Sequence, residues 1–230
     1  MDSKADKILK TSRIRAGAFK NIHRGERCFV LGTGPSLNYT NLDLIKDEII
    51  FGVNALYKGF DKFNIKCKYY AVTHPGIRYF QEIMKPWTTV FISGCLGAEY
   101  IALSPIIPLP NPPIILPLNG YLFEDENAFA LDITKGLANG WTVITDVCLQ
   151  VCLYMGFDEV YLLGCDWDYE TEGKHFCDGG AMCDPRFLER TKISYEVCKK
   201  WFEHFGKKIY NATPNSKLDV FEHVKLEDII

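Results

Sequence analysis

The residues with the means to do chemistry fall into two groups. The first is Gly32-Thr33-Gly34-Pro35-Ser36, which closes the apolar run Arg27 to Leu31. Two glycines two residues apart let a backbone approach a bulky anion, and exposed N–H groups at the start of a following helix can hold phosphate. Ser36 can cap that helix or donate to a phosphate oxygen. No Gly-Lys-Ser/Thr follows, so this is neither a Walker loop nor the full dinucleotide fingerprint. The plainer alternative is a tight strand-to-helix turn with a serine cap. The second group is the stretch GCDWDYETEGKHF, Gly164 to Phe176. Asp166 and Asp168 have a spacing that can hold a divalent cation bridging phosphates, although Asp-x-Asp also opens many ordinary loops. Tyr169 can donate to a departing phosphate. His175 can take a proton from an acceptor hydroxyl, because imidazole titrates near neutrality. Its bland alternative is a surface-loop histidine. Asn54 can read a base or ribose through its amide, or end a strand as a turn former. His74, before Pro75-Gly76, is equally suited to a ligand contact or a packed turn.

Elements must position these groups. Arg27 to Leu31 reads as a buried strand, Leu37 to Ile45 as a helix, and Glu48 to Asn54 as a second strand. Lys68 to Gly76 holds a third strand and its turn, IRYFQEIM a helix, and TTVFISG a fourth strand. Six prolines between Ser104 and Leu118 make that region irregular or extended. Apolar residues at Val143, Val147, Val151 and Tyr154 fit a helix stopped by Gly156. DEVYLLGCD is a fifth strand, 166–184 a polar loop, Arg186 to Phe205 an amphipathic helix ended by Gly206, and KKIYNAT a last strand. Strands alternating with helices predict an α/β fold, a mostly parallel sheet with helices on both faces. Ligands of such sheets sit beyond the carboxyl ends of the strands. Gly32-Thr33-Gly34, Asn54, Thr73-His74, Asp166 and Asn211 all fall there.

Bulk properties narrow the field. The chain has 230 residues, 47% hydrophobic, with net charge -3. That supports one full core and gives no basic field for nucleic acid. No apolar run suits a bilayer span, and the N-terminus lacks a secretory h-region. Nine cysteines without a Cys-x-x-Cys pair then read as reduced thiols of a cytoplasmic protein. Zinc on Cys165, His175, Cys177 and Cys183 is disfavoured by irregular spacing. Residues 1–23 read as a basic helix or arm, and 24–230 as a single domain. Lys4, Lys7, Lys10, Arg13 and Arg15 suit a solvated face, or weak peripheral contact with an anionic inner membrane surface. The proline-rich segment and exposed aromatics are compatible with self-association into a homo-oligomer.

Taken in order, RCFVLGTGPSLN, FGVN, YYAV, YMGFDEVYLLGCDWDY, KHF and KKIYNATPNSKLDVF resemble the MptE-like domain family. Its members include archaeal 6-hydroxymethylpterin pyrophosphokinases and bacterial surface-polysaccharide proteins. The match runs from about Arg24 to the C-terminus. The same order resembles small bacterial sialyltransferases that use CMP-sialic acid. Gly32, Gly34, Pro35, Ser36, Asn54 and Asp166 match their motifs; Thr33 and His74 replace asparagines; Tyr169 matches with one inserted residue; His175 corresponds by its place in the loop.

The resemblance implies a Rossmann-like nucleotide-binding domain. It also implies sugar transfer from a nucleotide-activated, CMP-linked donor to a surface-glycan acceptor, with no metal required. His175, Tyr169 and Asp168 would form the catalytic group, and backbone amides of the glycine turn would steady the leaving phosphate. Gly32 to Ser36, Asn54, His74, Thr142 and Asp166 would hold the nucleotide. The alternatives are a pyrophosphokinase in which Asp166 and Asp168 hold Mg²⁺ and ATP gives its pyrophosphoryl group to a pterin alcohol, and a non-catalytic nucleotide-binding module.

Overall fold

The computed structural model describes residues 3–73, 80–93, 112–122, 128–168, 176 and 185–230. Its centre is an eight-stranded sheet whose strand pairs are all parallel. In chain order the strands are β1 (Arg27–Leu31), β2 (Ile50–Val53), β3 (Tyr69–Val72), β4 (Thr89–Ile92), β5 (Ile114–Ile115), β8 (Glu159–Leu163), β9 (Lys208–Asn211) and β10 (Glu222–His223). They lie side by side as β10-β9-β8-β1-β2-β3-β4-β5. A separate parallel pair, β6 (Leu118–Leu122) and β7 (Leu137–Asn139), stands beside it.

Burial on both faces explains why the strands read as unbroken apolar runs. In β1, Cys28 and Val30 point to one core, while Phe29 and Leu31 point to the other. The first face is covered by α1 (Lys4–Gly17), α4 (Leu149–Met155) and α5 (Pro185–His204). The second is covered by shorter pieces: 3-10 turns, α2 (Phe60–Phe63) and α3 (Phe80–Ile83). The α/β expectation, helices on both faces included, holds. Gly156 and Gly206 end α4 and α5 with φ values of 92° and 69°, in the left-handed region that glycine tolerates.

Two expectations are corrected. The helix expected over Leu37–Ile45 is two 3-10 turns, Pro35–Tyr39 and Leu42–Ile45. The Asn41 between them breaks the run, and Leu37, Leu42 and Ile45 bury from each turn separately. The helix expected after Gly140 opens with a wider π turn, Ile144–Cys148. Buried Gln150 accounts for it: its Nε2 donates to the carbonyls of Thr145 (2.8 Å) and Asp146 (2.9 Å). The basic N-terminal segment is helix α1, packed against the sheet. Ser12 and Ala16 are buried, and the Ser12 hydroxyl accepts from the N–H of Ile115 at 3.1 Å. Helix α1 thereby protects edge strand β5. Lys4, Lys7, Lys10 and Arg13 remain exposed on its outer side. No helix among the described residues is long and apolar enough to cross a membrane.

Candidate active site at the carboxyl edge of the sheet

From β1 the chain winds outward through β2 to β5 on one side, while β8 pairs on the other. The junction of β1 and β8 is therefore the topological switch point, where the turns leaving both strands diverge and open a crevice. The turn after β1 carries the glycines, and the turn after β8 carries Asp166.

These turns are laced together. The N–H of Gly32 donates to the Leu163 carbonyl at 2.7 Å, and that of Gly34 to the Gly164 carbonyl at 2.8 Å. Asp166 accepts from the Ser36 N–H (3.0 Å) and the Ser36 hydroxyl (2.7 Å). The glycines are needed for this approach. A Cβ on Gly32 would lie 2.4 Å from the Gly164 oxygen. One on Gly34 would lie 1.7 Å from Asp166 Oδ2. This revises the expected phosphate cradle. The Gly32, Gly34 and Ser36 amides are already engaged, all three residues are buried, Pro35 has no N–H, and no α-helix follows. The turn does bind an anion, but the anion is the protein's own carboxylate.

What reaches the surface is the layer above. Thr33, Asn54, Thr73, Thr142, Asp166 and Asp168 are half-buried. Asn54 has φ 40° and is fastened twice. Its carbonyl accepts from the Tyr70 hydroxyl at 2.8 Å, and its Oδ1 accepts from the Thr73 N–H at 3.1 Å. Tyr70 reaches it because Gly52 leaves room: a Cβ there would sit 2.6 Å from the Tyr70 ring. The Asn54 Nδ2 makes no hydrogen bond among the described residues and is available to a ligand.

Burial raises the pKa of Asp166 above the ordinary carboxylate range, against the two Ser36 bonds, which lower it; nearby Asp168 adds a smaller upward push. Asp168 pairs with Lys217 at 3.1 Å, and the Lys217 N–H donates to the Asp166 carbonyl at 2.9 Å. The two carboxylates are thus each directed at a protein partner. A magnesium ion bridging them would have to share their oxygens with Ser36 and Lys217. No cluster of three or more metal-ligating side chains occurs among the described residues. Of the four residues weighed for zinc, only Cys165 is described; its buried thiol donates to the Leu163 carbonyl at 3.6 Å.

Thr142 lies on the same edge, because the helix it opens runs back under the sheet before β8 begins. Its hydroxyl caps that helix, accepting from the Thr145 N–H at 3.2 Å. His74, Tyr169 and His175 lie outside the described residues. Phe176, the chain neighbour of His175, is described: its N–H donates to the Thr33 carbonyl at 2.8 Å, and its ring packs on Phe63 with centroids 5.2 Å apart. The second glycine-bearing segment is thereby pegged to the first.

Sequence reasoning missed a third wall, Asn139-Gly140-Trp141. The Gly140 N–H donates to the buried Asp146 carboxylate, and the Trp141 N–H to Asn139 Oδ1 at 3.2 Å. One turn of α5 joins this wall to the Asp166 turn. The Ser194 hydroxyl donates to the Gly140 carbonyl at 2.6 Å, and Thr191 Oγ1 accepts from the Trp167 indole at 3.3 Å. The Asn-Gly pair was a visible turn signal, but its destination depended on packing. Asp146 is 7% exposed, and desolvation lifts its pKa to about 7 despite the amides that donate to it.

A hollow of about 640 Å³ opens at the opposite, amino edge between Arg27, Glu48 and Asp158. Arg27 there pairs with Glu48 at 2.6 Å, and Lys207 with Asp158 at 2.7 Å. It lies away from the strand ends that carry chemistry.

No family model matches the chain, and no curated protein matches it. Among solved structures it is similar to the Maf glycosyltransferase from Magnetospirillum magneticum AMB-1, with a TM-score of 0.58 and 12% identity. The match covers 97% of this chain and 39% of that one. At that identity the likeness establishes a shared α/β fold.

Proposed function

We propose that the crevice transfers a glycosyl group from a nucleotide-activated sugar, CMP-linked, to the hydroxyl of a surface-glycan acceptor. The observation that carries this reading is the placement of Asp166 at the β1–β8 switch point, with Asn54 at the end of the adjacent β2 on the same carboxyl edge, in a fold shared with a glycosyltransferase. With the glycine-turn amides engaged, the nucleoside is held through side chains. Asp166 keeps lone pairs for ribose hydroxyls, and Asn54 offers its amide nitrogen. His74 and Thr33 complete the donor side.

His175 takes the proton from the acceptor hydroxyl as its oxygen attacks the anomeric carbon. The bond from that carbon to the phosphate oxygen breaks, and the nucleotide leaves with the electron pair. Tyr169 donates to the departing phosphate. Asp168, paired with Lys217, completes the catalytic group. This assignment joins the chain to the MptE-like group by motif order. No step calls on a metal, so transfer is expected to persist in EDTA.

A thermal-shift series with CMP, CDP, UDP, GDP and ATP, each with and without Mg²⁺, tests the reading. A bound ligand raises apparent stability by mass action. CMP stabilisation without metal is the expected result. Stabilisation by Mg-ATP alone would replace sugar transfer with pyrophosphoryl transfer.

A further inference from the structure

Helix α1 has two unlike sides. Ser12 and Ala16 face inward and are buried, and the Phe19 ring that follows the helix packs edge-on against Tyr69 and Phe91. The helix is thereby fixed to the sheet, and its opposite side is turned to the surroundings. That side carries Lys4, Lys7, Lys10 and Arg13 at three-residue steps, neighbours along one helical ridge. None of the four makes an ion pair among the described residues, whereas Arg27, Lys192 and Lys207 each hold a carboxylate. Residues 3–24 hold seven Lys or Arg against one Asp, in a chain whose net charge is -3. Like charges one turn apart weaken a helix, so folding gains nothing from this row. Ile14 stands four residues after Lys10 and seven after Lys7, which puts it on the same side. It is 70% exposed, more than any other large hydrophobic side chain among the described residues.

We infer that this side of α1 seats the protein on the surface of an anionic phospholipid bilayer. The inference stands apart from the glycosyl-transfer reading and uses none of its residues. The lysine and arginine heads reach the lipid phosphates, while Ile14 enters the boundary between headgroups and acyl chains. Charge alone would also suit a nucleic acid. The bare isoleucine decides for lipid, because there it has an apolar layer to enter, and on a phosphate backbone it has none. The contact is peripheral: one apolar side chain and four cations give reversible binding that salt weakens. Since α1 is already folded and anchored through Ser12 and Ala16, binding costs no ordering of the helix.

Vesicle flotation tests it, with mixed phosphatidylglycerol–phosphatidylcholine vesicles beside pure phosphatidylcholine. The wild type should float with the first at low salt, stay behind with the second, and be released at high salt. Near an anionic surface each lysine is worth about fivefold in affinity, so Lys7→Gln/Lys10→Gln should bind about 25-fold more weakly. Ile14→Ser should lower vesicle binding several-fold and leave its salt dependence unchanged. All three positions are exposed, so melting temperatures and the CMP-induced thermal shift should stay at the wild-type values, and lost flotation is then not lost folding. No flotation by the wild type, equal flotation with both vesicle types, or flotation that either variant leaves undiminished overturns the inference. A wild type that leaves the vesicles for a single-stranded oligonucleotide overturns it in favour of nucleic acid. Flotation as expected without any CMP shift leaves the bilayer contact standing and removes the CMP-linked transfer reading.

Discussion

Gly34 and Asp166 occupy each other's space: a methyl group on the first would lie 1.7 Å from a carboxylate oxygen of the second. Gly32 meets first the backbone oxygen of Gly164, at 2.4 Å, which stands 2.7 Å from a methyl group on Gly34. A side chain can turn aside and a strand-end carbonyl cannot, so the two glycines should respond differently to substitution. Gly34→Ala should cost about 1–3 kcal/mol, in the range of overpacked cores. Part of that loss should return in the Gly34→Ala/Asp166→Ala double variant. Gly32→Ala should be at least as damaging and gain nothing from Asp166→Ala. Urea unfolding of the set measures this as a double-mutant cycle, and purely additive losses for positions 34 and 166 would refute the interlock.

Asp146 gives the fold a pH dependence. Its folded pKa is lifted to about 7 by burial, from the ordinary aspartate value of 3.8. The folded state therefore binds a proton that the unfolded state has released. Stability is fully present below about pH 4, falls as pH rises toward 7, and levels off beyond. The span amounts to roughly 4 kcal/mol by linkage. Asp146→Asn keeps an oxygen for the Gly140 N–H and removes the ionisation. It should match the wild type at pH 4 and be more stable at pH 8, and a wild-type slope that survives the substitution would exclude Asp146 as its source.

His175→Ala should lower transfer by about 10²- to 10⁴-fold, the usual contribution of a general base. The CMP-induced thermal shift should be unchanged, since the base acts on the acceptor hydroxyl. Turnover that survives at the wild-type level would remove His175 from the mechanism.

The sheet was legible because strands buried on both faces leave continuous apolar runs, as in Phe29 to Leu31 and Val160 to Leu163. The short strands β5 and β10 were not, since two residues apiece carry no period. Asp166 and Asn54 could be placed on one edge from their positions at strand ends. Their partners could not. That Asp166 answers Ser36 across 130 residues, and thereby spends the amide expected for phosphate, follows from sheet order rather than local pattern. Likewise the left-handed backbone of Trp141 contradicts its own propensity, so only the folded chain discloses it.

The bond from the Phe176 N–H to the Thr33 carbonyl has a bearing on how this region can diverge. It fixes Phe176 against the first strand's turn, and the grip of Phe63 and the bare Gly59 on its phenyl ring holds the same point a second time. Chain added on either side of a point held in this way adds closure entropy only slowly, so length can change over evolutionary time as long as that double hold is kept.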